Sequence, residues 1–224
     1  MDSRDKLVEM VNQFHTYLAH NPEAEIEDFC RFYLLKGQKH LVDADTSAEY
    51  ARERHLTADF FDTPFTIEGQ LGKALGRLTK FSFMYSRKGL TSLGLNNLED
   101  FVYLVTIFEH GTPKKSEIIH KNLSEFSSGI EVIKRLKNLD LLYEFPDEDD
   151  RRSRRVGLTP KGMEVLRACF PLMTQIAYMT FGDLMPEEKE MILHIFSKLD
   201  KKHSDMYDRT KQKTFQEILE IFQQ

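Results

Sequence analysis

The most informative stretch of the chain is residues 147–162, which read Asp147-Glu148-Asp149-Asp150-Arg151-Arg152-Ser153-Arg154-Arg155-Val156-Gly157-Leu158-Thr159-Pro160-Lys161-Gly162. A polar segment, 146–153, separates two runs with a period of about two, 141–145 and 154–158. Alternating runs around a polar turn predict a β-hairpin. The Thr159-Pro160 pair then predicts the start of a long helix, with Thr as the N-cap and Pro at the first helical position.

Two short helices are predicted just before this hairpin, at about 114–121 and 125–139, with only a tight turn between them. Helix, turn, helix and hairpin in this order are typical of a winged helix-turn-helix, whose second helix enters the major groove of DNA. The hairpin of such a fold contacts the phosphate backbone or the minor groove. Apolar residues at helical spacing fill most of the remaining chain, which predicts a mainly α protein with one small β-hairpin.

The hairpin stretch also resembles the wing signature of the multiple-antibiotic-resistance regulator (MarR) family of bacterial transcription factors. Asp150 and Arg152 match an Asp-x-Arg pair, which is followed by a strand and by a Leu-Thr-x-x-Gly helix start. Residues 133–142 are similar to the end of that family's recognition helix. The resemblance covers residues 67–200, with the wing at about 141–158.

This resemblance implies a fold and a division of the chain. The expected fold is mainly α: a winged helix-turn-helix domain with a helical dimerisation region, which in the family comes from both ends of the domain, and a small β-hairpin wing. Residues 1–66 are left as an N-terminal helical extension, which we expect to add contacts to a dimer because its apolar helix faces need burial. Covering an effector pocket and binding another protein are the alternatives. Residues 201–224 are expected to form a C-terminal helix of the dimer region.

The helix predicted at 125–139 has a polar face that suits DNA. The candidate DNA-binding residues on this face are Ser127, Ser128, Glu131, Lys134 and Arg135. The serines can bond bases or phosphates, and a glutamate can accept a hydrogen bond from the amino group of cytosine. Phe126 is expected on the buried face with Gly129, Ile130, Ile133 and Leu136; contact with a thymine methyl group is the alternative.

The wing supplies a second set of DNA-binding candidates: Arg151, Arg152, Arg154 and Arg155. Arg152 at the tip can enter a narrow minor groove, where the negative potential is enhanced. Arg154, Arg155 and Lys161 are better placed for phosphates, which position a protein without reading sequence. The resemblance implies that Asp150 supports the wing by holding the Arg152 guanidinium. The alternative is that these arginines only solvate the hairpin and neutralise its acidic residues.

Composition excludes several classes of protein. The chain has 224 residues, a net charge of −5, and 41% hydrophobic against 30% charged residues. It has no apolar run of about 20 residues that would span a bilayer, and its first residues lack the apolar core of a secretory signal. Its two cysteines form neither a disulfide framework nor a zinc-binding set. We therefore expect a cytoplasmic protein without a membrane, metal or cofactor, and because no catalytic spacing is recognisable, not an enzyme.

Two further sets of residues are candidates for regulation. Phe81, Met84, Tyr85 and Phe101 are the candidates to line an effector pocket, although plain core is the preferred interpretation. Cys30 lies beside Phe29 and Phe32, and we expect it to be a buried small hydrophobe. The resemblance adds an alternative for Cys30, since some relatives sense peroxides through an N-terminal cysteine.

The expected function is that of a sequence-specific DNA-binding transcriptional regulator. It would bind double-stranded DNA as a homodimer on a pseudo-palindromic operator, with half-sites about one helical turn apart. As the resemblance implies, a small-molecule effector or oxidation would modulate it. The alternative is a ligand-sensing or protein-interaction module without specific DNA binding, which the acidic net charge favours.

Overall fold

The computed structural model describes residues 2–38, 66–150 and 152–223, and most of them are helical. The chain divides into two compact units, residues 1–73 and 74–224. The helices are α1 (Ser3–His20), α2 (Ile26–Gln38), α3 (Ile67–Thr91), α4 (Leu98–His110), α5 (Lys115–Lys121), α6 (Phe126–Asn138), α7 (Pro160–Phe181), α8 (Pro186–Thr210) and α9 (Phe215–Gln223), and the strands are β1 (Leu142–Pro146) and β2 (Arg154–Leu158).

Aromatic side chains hold α1 and α2 together in the first unit. The ring of Phe29 is buried, with its centroid 4.8 Å from that of Phe14 and 5.8 Å from that of Tyr17. Phe32 stacks on Tyr17 at 4.7 Å. Such offset pairs stabilise beyond the area that they bury. Residues 39–65 of the predicted extension lie outside the part of the chain that is described.

One hydrophobic core in the second unit joins the end of α3, α4, α5, α6, the hairpin and the first half of α7. Its largest buried side chain is Tyr103 on α4. The other members are Leu90, Leu95, Leu104, Ile107, Ile118, Ile119, Val132, Ile133, Leu136, Leu141, Leu142, Val156, Leu166 and Cys169. The helix-turn-helix and the wing are therefore seated on the same core.

The two strands pair in antiparallel register from Leu142↔Leu158 to Pro146↔Arg154. The segment before α5 adds a short third element, because the Val156 N–H donates to the Pro113 carbonyl at 3.1 Å and Lys114 forms a β-bridge with Arg155. The predicted hairpin and the predicted fold class are confirmed: the part of the chain that the structure describes is mainly helical, with a winged-helix domain and one two-stranded sheet.

The start of α7 is also as predicted. The Thr159 hydroxyl accepts a hydrogen bond from the Gly162 N–H at 2.9 Å, and Pro160 is the first helical residue. Helix α8 runs without interruption through residue 200, so residues 201–210 continue it. None of the helices within the described ranges is long and apolar enough to cross a membrane.

Candidate nucleic-acid interface

Helix α6 approaches α5 unusually closely through a glycine. A Cβ added at Gly129 would lie 2.5 Å from Ile119 Cγ1 and 2.7 Å from the Tyr103 hydroxyl, which is closer than any side chain tolerates. Val132, Ile133 and Leu136 continue the buried face of α6. This face fixes the depth at which α6 sits on the core and leaves the opposite side of the helix to solvent.

Arg135 ties α6 to the beginning of α4. Its Nε and Nη2 atoms both donate to Asp100 Oδ1, at 2.9 and 2.6 Å, and the Asp100 side chain is fully buried. The other carboxylate oxygen of Asp100 accepts from the Asn96 backbone N–H at 2.7 Å. The expectation that Arg135 faces DNA is therefore corrected. Its guanidinium positions the helix, because a buried carboxylate requires a charged partner.

The outward side of α6 carries the other predicted residues. Ser127, Ser128, Glu131 and Lys134 are all exposed. Lys134 Nζ donates to Glu131 Oε1 at 2.7 Å, an exposed pair one turn apart that contributes little to stability. This surface is free to meet DNA, and it is close to neutral.

Phe126 departs from the prediction. It is the first residue of α6, and 63% of its surface is exposed, so it does not belong to the buried face. The physical reason is its place at the helix end: the core below α6 begins at Gly129, one turn further along. Helical periodicity gives the direction of a side chain but not where the partner surface stops.

The wing is anchored by a buried carboxylate that sequence reasoning did not single out. The Asp147 side chain is 1% exposed and forms ion pairs with Arg155 and with Lys114 Nζ, the latter at 3.3 Å. Its Oδ1 accepts from the backbone N–H groups of Asp149 and Asp150 at 3.2 and 2.8 Å. An aspartate that directly follows Pro146 at the mouth of a polar turn is the available sequence signal, since aspartate favours such turns.

These contacts change the acidity of Asp147. Burial alone would raise the pKa of this carboxyl, but the backbone N–H of Asp150 and the side chains of Arg155 and Lys114 outweigh burial and lower the pKa to about 2. Asp147 is therefore ionised throughout the physiological range, and the wing base is held by charge as well as by backbone hydrogen bonds.

Two cations predicted to contact phosphates also make contacts within the fold. Arg155 binds Asp147 and also donates from Nη1 to the Thr112 carbonyl at 2.8 Å, so it braces the hairpin. Lys161 Nζ donates to the Leu139 carbonyl at 2.7 Å. This carbonyl lies at the C-terminal end of α6, where backbone acceptors have no partner within the helix. Arg155 is half-buried and Lys161 is exposed. These contacts give each side chain a role within the fold, and contact with phosphates stays a prediction for both.

The tip of the wing presents Arg152. The Asp150 carboxylate accepts from the Arg152 backbone N–H at 3.0 Å and from the Ser153 hydroxyl at 2.8 Å, so it shapes the turn rather than holding the guanidinium. Within the described ranges, no acidic side chain pairs with the Arg152 guanidinium, which is exposed together with Arg154. Arg151 lies outside the described residues.

A cluster of positive charges lies between the wing and α6. Burial lowers the pKa of Lys115, and the nearby charges of Lys137, Arg154 and Lys134 lower it further. Glu144 on β1 forms ion pairs with Lys115 and with Lys137 Nζ, the latter at 2.6 Å. Sequence reasoning missed Lys115, Lys137 and Glu144, because their proximity depends on how the hairpin folds against α5 and α6.

Two of the candidate effector residues pair with each other, and a third packs against a residue outside the candidate set. Phe81 stacks on Tyr85 one turn along α3, at 6.5 Å between centroids, while Phe101 packs edge-on against Phe170 of α7 at 6.0 Å. Phe81 and Met84 are exposed, so the preferred interpretation as plain core is wrong for these two. On this stretch of α3 the described residues bury Ser86 and half-bury Tyr85, but they leave Phe81 and Met84 on the exposed side of the helix.

Cys30 is exposed, which corrects the expectation of a buried cysteine. It lines an apolar groove of about 340 Å³ between α1 and α2, together with Phe14, Phe29 and Tyr33. Phe29 occupies the buried position of α2, and the neighbouring residue is turned by about 100° towards solvent. Cys169 is buried, and burial raises the pKa of its thiol to about 11.

Comparisons with known proteins agree with this geometry. Residues 95–162 match the family model described as a winged helix DNA-binding domain. The HTH-type transcriptional repressor NicR of Pseudomonas putida is 27% identical over 143 residues, which cover 64% of this chain and 90% of NicR. The matched region of the family model contains α4–α6, both strands and the start of α7, so it coincides with the interface described above.

Solved structures show the same fold. BpsR of Bordetella bronchiseptica, whose DNA binding is regulated by 6-hydroxynicotinic acid, is 27% identical, with a TM-score of 0.54 over 58% of this chain and 98% of BpsR. A mutant MarR from E. coli in complex with operator DNA gives a TM-score of 0.56 at 17% identity, over 60% of this chain and 96% of that protein. At that identity the second match speaks for the fold alone.

Proposed function

We propose that this chain is a winged-helix transcriptional regulator of the MarR type, because residues 95–162 match a winged helix DNA-binding domain and the chain is similar to the repressor NicR. It would act as a homodimer on a pseudo-palindromic operator and read the operator sequence with α6. The observation that carries the proposal is the arrangement of α6 and the wing. Buried contacts fix both elements on one core, and they leave the polar face of α6 and the Arg152 guanidinium exposed. Sequence recognition requires that the side chains facing the bases are exposed and that the elements carrying them are held rigidly in place.

Exposed apolar side chains on the remaining helices support the homodimer. Large apolar patches on a folded chain mark interaction surfaces. The same patch presented by two copies closes a two-fold dimer, which places two α6 helices against two half-sites. The side chains concerned are Leu71, Leu75, Leu78 and Phe81 of α3, Tyr178 and Met179 of α7, Leu193 and Phe196 of α8, and Phe215 of α9.

A small effector would act by changing the distance between the two α6 helices. Support comes from BpsR, whose DNA binding responds to 6-hydroxynicotinic acid. This chain also has a direct contact between α8 and the helix-turn-helix, since His120 Nε2 and Asp208 Oδ1 are 2.7 Å apart. An effector shifts such an equilibrium only if it binds one arrangement better than the other. Hydroxylated nicotinic acid is the first compound to test.

A second candidate is a ligand-sensing or protein-interaction module without specific DNA binding. The near-neutral outward face of α6 favours it, because Glu131 and Lys134 pair with each other and Arg135 is engaged by Asp100. The net charge of −5 points in the same direction. The two candidates make different predictions for Arg152, which contacts DNA only in the first.

The test compares wild type with Arg152→Ala on DNA from just upstream of its own gene, across a salt series and with unrelated DNA as competitor. We expect the variant to lose about tenfold or more in affinity. The slope of log affinity against log salt concentration should decrease by about two per dimer, one for each arginine. Arg167→Ala removes an exposed arginine of α7 and serves as the matched control, with affinity unchanged.

Both variants should keep the oligomeric state and melting temperature of wild type. Equal affinity of wild type and Arg152→Ala would contradict the proposal and favour the second candidate. Binding that is lost equally on both DNAs as salt rises would do the same, because only the counterion-release component would remain.

A further inference from the structure

We propose that Phe126 reads the 5-methyl group of a thymine in the major groove, and that this contact, rather than an arginine–guanine pair, provides the main base discrimination of α6. The inference rests on the proposed function and names the base chemistry that the same surface recognises. It is carried by the position and exposure of Phe126, by a second apolar side chain beside it, and by the absence of a free cation on the outward face of α6 as described.

The core of the fold does not use the Phe126 side chain. The buried side of α6 is complete with Gly129, Val132, Ile133 and Leu136, and the Phe126 ring remains 63% exposed. Its preceding residue, Glu125, makes no side-chain hydrogen bond to the helix end, so the N-terminal backbone of α6 stays open as well. In a recognition helix, these N-terminal residues are the ones that reach the edges of the bases.

Leu123 extends the apolar surface at this end of α6. It is 60% exposed and has a φ of 51°, a left-handed conformation that favours glycine. The backbone makes the hydrogen bonds of a helix C-cap around it, from Leu123 N–H to the His120 carbonyl and from Ser124 N–H to the Ile119 carbonyl. A leucine at a position suited to glycine gives the turn an apolar side chain that the fold itself does not bury.

The chemistry of the major groove limits what such a surface can recognise. The thymine methyl is the one apolar group among the base edges there; every other feature is a hydrogen-bond donor or acceptor. Guanine is usually read by a bidentate arginine or lysine. Arg135 is engaged by Asp100, and Lys134 is paired with Glu131, so α6 presents hydroxyl groups beside an aromatic ring. This combination matches a thymine-containing half-site.

The experiment removes only the methyl group. Wild-type protein first selects its binding site from random-sequence duplexes, and the selected duplex is then synthesised with deoxyuridine in place of each thymine in turn. We expect wild type to bind about fourfold more weakly when the critical thymine of one half-site is replaced, and about fifteenfold when both are, as for the loss of one buried methyl-sized group at each position. Thymines elsewhere should be neutral.

The variant Phe126→Ala tests the assignment to this residue. It should bind the thymine and uracil duplexes equally, at the level of wild type on uracil, while Phe126→Leu keeps part of the preference. Phe108→Ala removes an exposed phenylalanine of α4 and is the matched control, with the full methyl preference expected. Circular dichroism and thermal melting should be unchanged in all three.

Two outcomes would overturn the inference alone: a selected site at which no thymine-to-uracil replacement weakens wild type, or a methyl preference that persists in Phe126→Ala. In the first case the exposed ring would be a contact for another protein. A selection that enriches no sequence at all would contradict the proposed function, and the inference with it, so the two failures are distinguishable.

Discussion

Gly162 ends the Leu-Thr-x-x-Gly pattern, and the fold leaves no room for a side chain at this position. A Cβ at this position would lie 2.1 Å from the Leu141 backbone carbonyl oxygen. The Thr159 hydroxyl bonds in two directions, accepting from the Gly162 N–H at 2.9 Å and donating to the Asp140 carbonyl at 2.7 Å. The Leu-Thr-x-x-Gly pattern therefore joins the start of α7 to the chain between α6 and β1.

Substituting Gly162→Ala should destabilise the protein, because the added methyl group meets backbone that cannot rotate away. We expect the free energy of unfolding to fall by about 1–3 kcal/mol, as for other overpacked sites, measured by urea denaturation. Gly76→Ala is the control: Gly76 lies on α3 away from the Leu71–Leu75 side, and its Cβ would meet no described atom within 4 Å. That variant should gain about 0.5–1 kcal/mol of helix stability. Equal effects of the two substitutions would contradict this account.

Individual burial was the least predictable property. Phe126 lies on a helix predicted at 125–139 and observed at Phe126–Asn138, yet Phe126 and Cys30 were both expected to be buried and both are exposed. Hydrophobic periodicity reports which residues are able to be buried, whereas burial also needs a neighbouring surface at that point of the helix. Arg135 was misassigned for a related reason, since its partner Asp100 is 35 residues away in sequence.

The wing is an element whose position depends on charge. Its two strands pair along five residue pairs, and the buried Asp147, with Arg155 and Lys114, adds ion pairs that fasten the base of the wing to the segment before α5. Hairpin, helix-turn-helix and N-cap were all predictable because their signals are local in sequence. The anchoring of the wing was not, because it joins residues that the fold brings together from two separate segments.

The free energy of unfolding should depend on pH through the ionisation of Asp147. Its pKa is about 2 in the folded state against an ordinary value of 3.8. A lowered pKa contributes stability above the unfolded value, and that contribution is lost as the pH falls from about 4 towards 2. Urea denaturation across this range should therefore show a smaller pH dependence for Asp147→Asn, which is also less stable than wild type at pH 7. Glu148→Gln, an exposed neighbour, should follow wild type; parallel curves for wild type and Asp147→Asn would contradict the assignment.

At the scale of the whole molecule, the distribution of apolar surface is uneven. The core described here lies under α4–α6, the hairpin and the first half of α7, while α3, the second half of α7, α8 and α9 keep many large apolar side chains exposed. The sequence shows these helices as amphipathic but does not show what covers them. A second copy of the chain is the partner that the proposed function requires.

Disrupting this surface should separate the subunits. We expect wild type to sediment as a dimer of 26.3 kDa chains, and a variant with Leu75→Glu and Leu193→Glu to sediment as a monomer, because an unpaired charge in an apolar interface is costly. The monomer should lose most of its affinity for a two-half-site duplex. Phe108→Glu, on α4, should remain dimeric. A monomeric wild type, or a dimeric double variant, would contradict the homodimer.

On α6, the residues that hold the helix in place differ from those that face outward, and this separation has an evolutionary consequence. Gly129, Ile133 and Arg135 hold the helix in place, whereas Ser127 and Ser128 point outwards and are exposed. If α6 reads the operator as proposed, we expect mutations at the outward positions to change the preferred operator while leaving the fold almost untouched. Related regulators can diverge in target from one ancestor without passing through unfolded intermediates, and a laboratory library randomised at these positions starts from a stable scaffold.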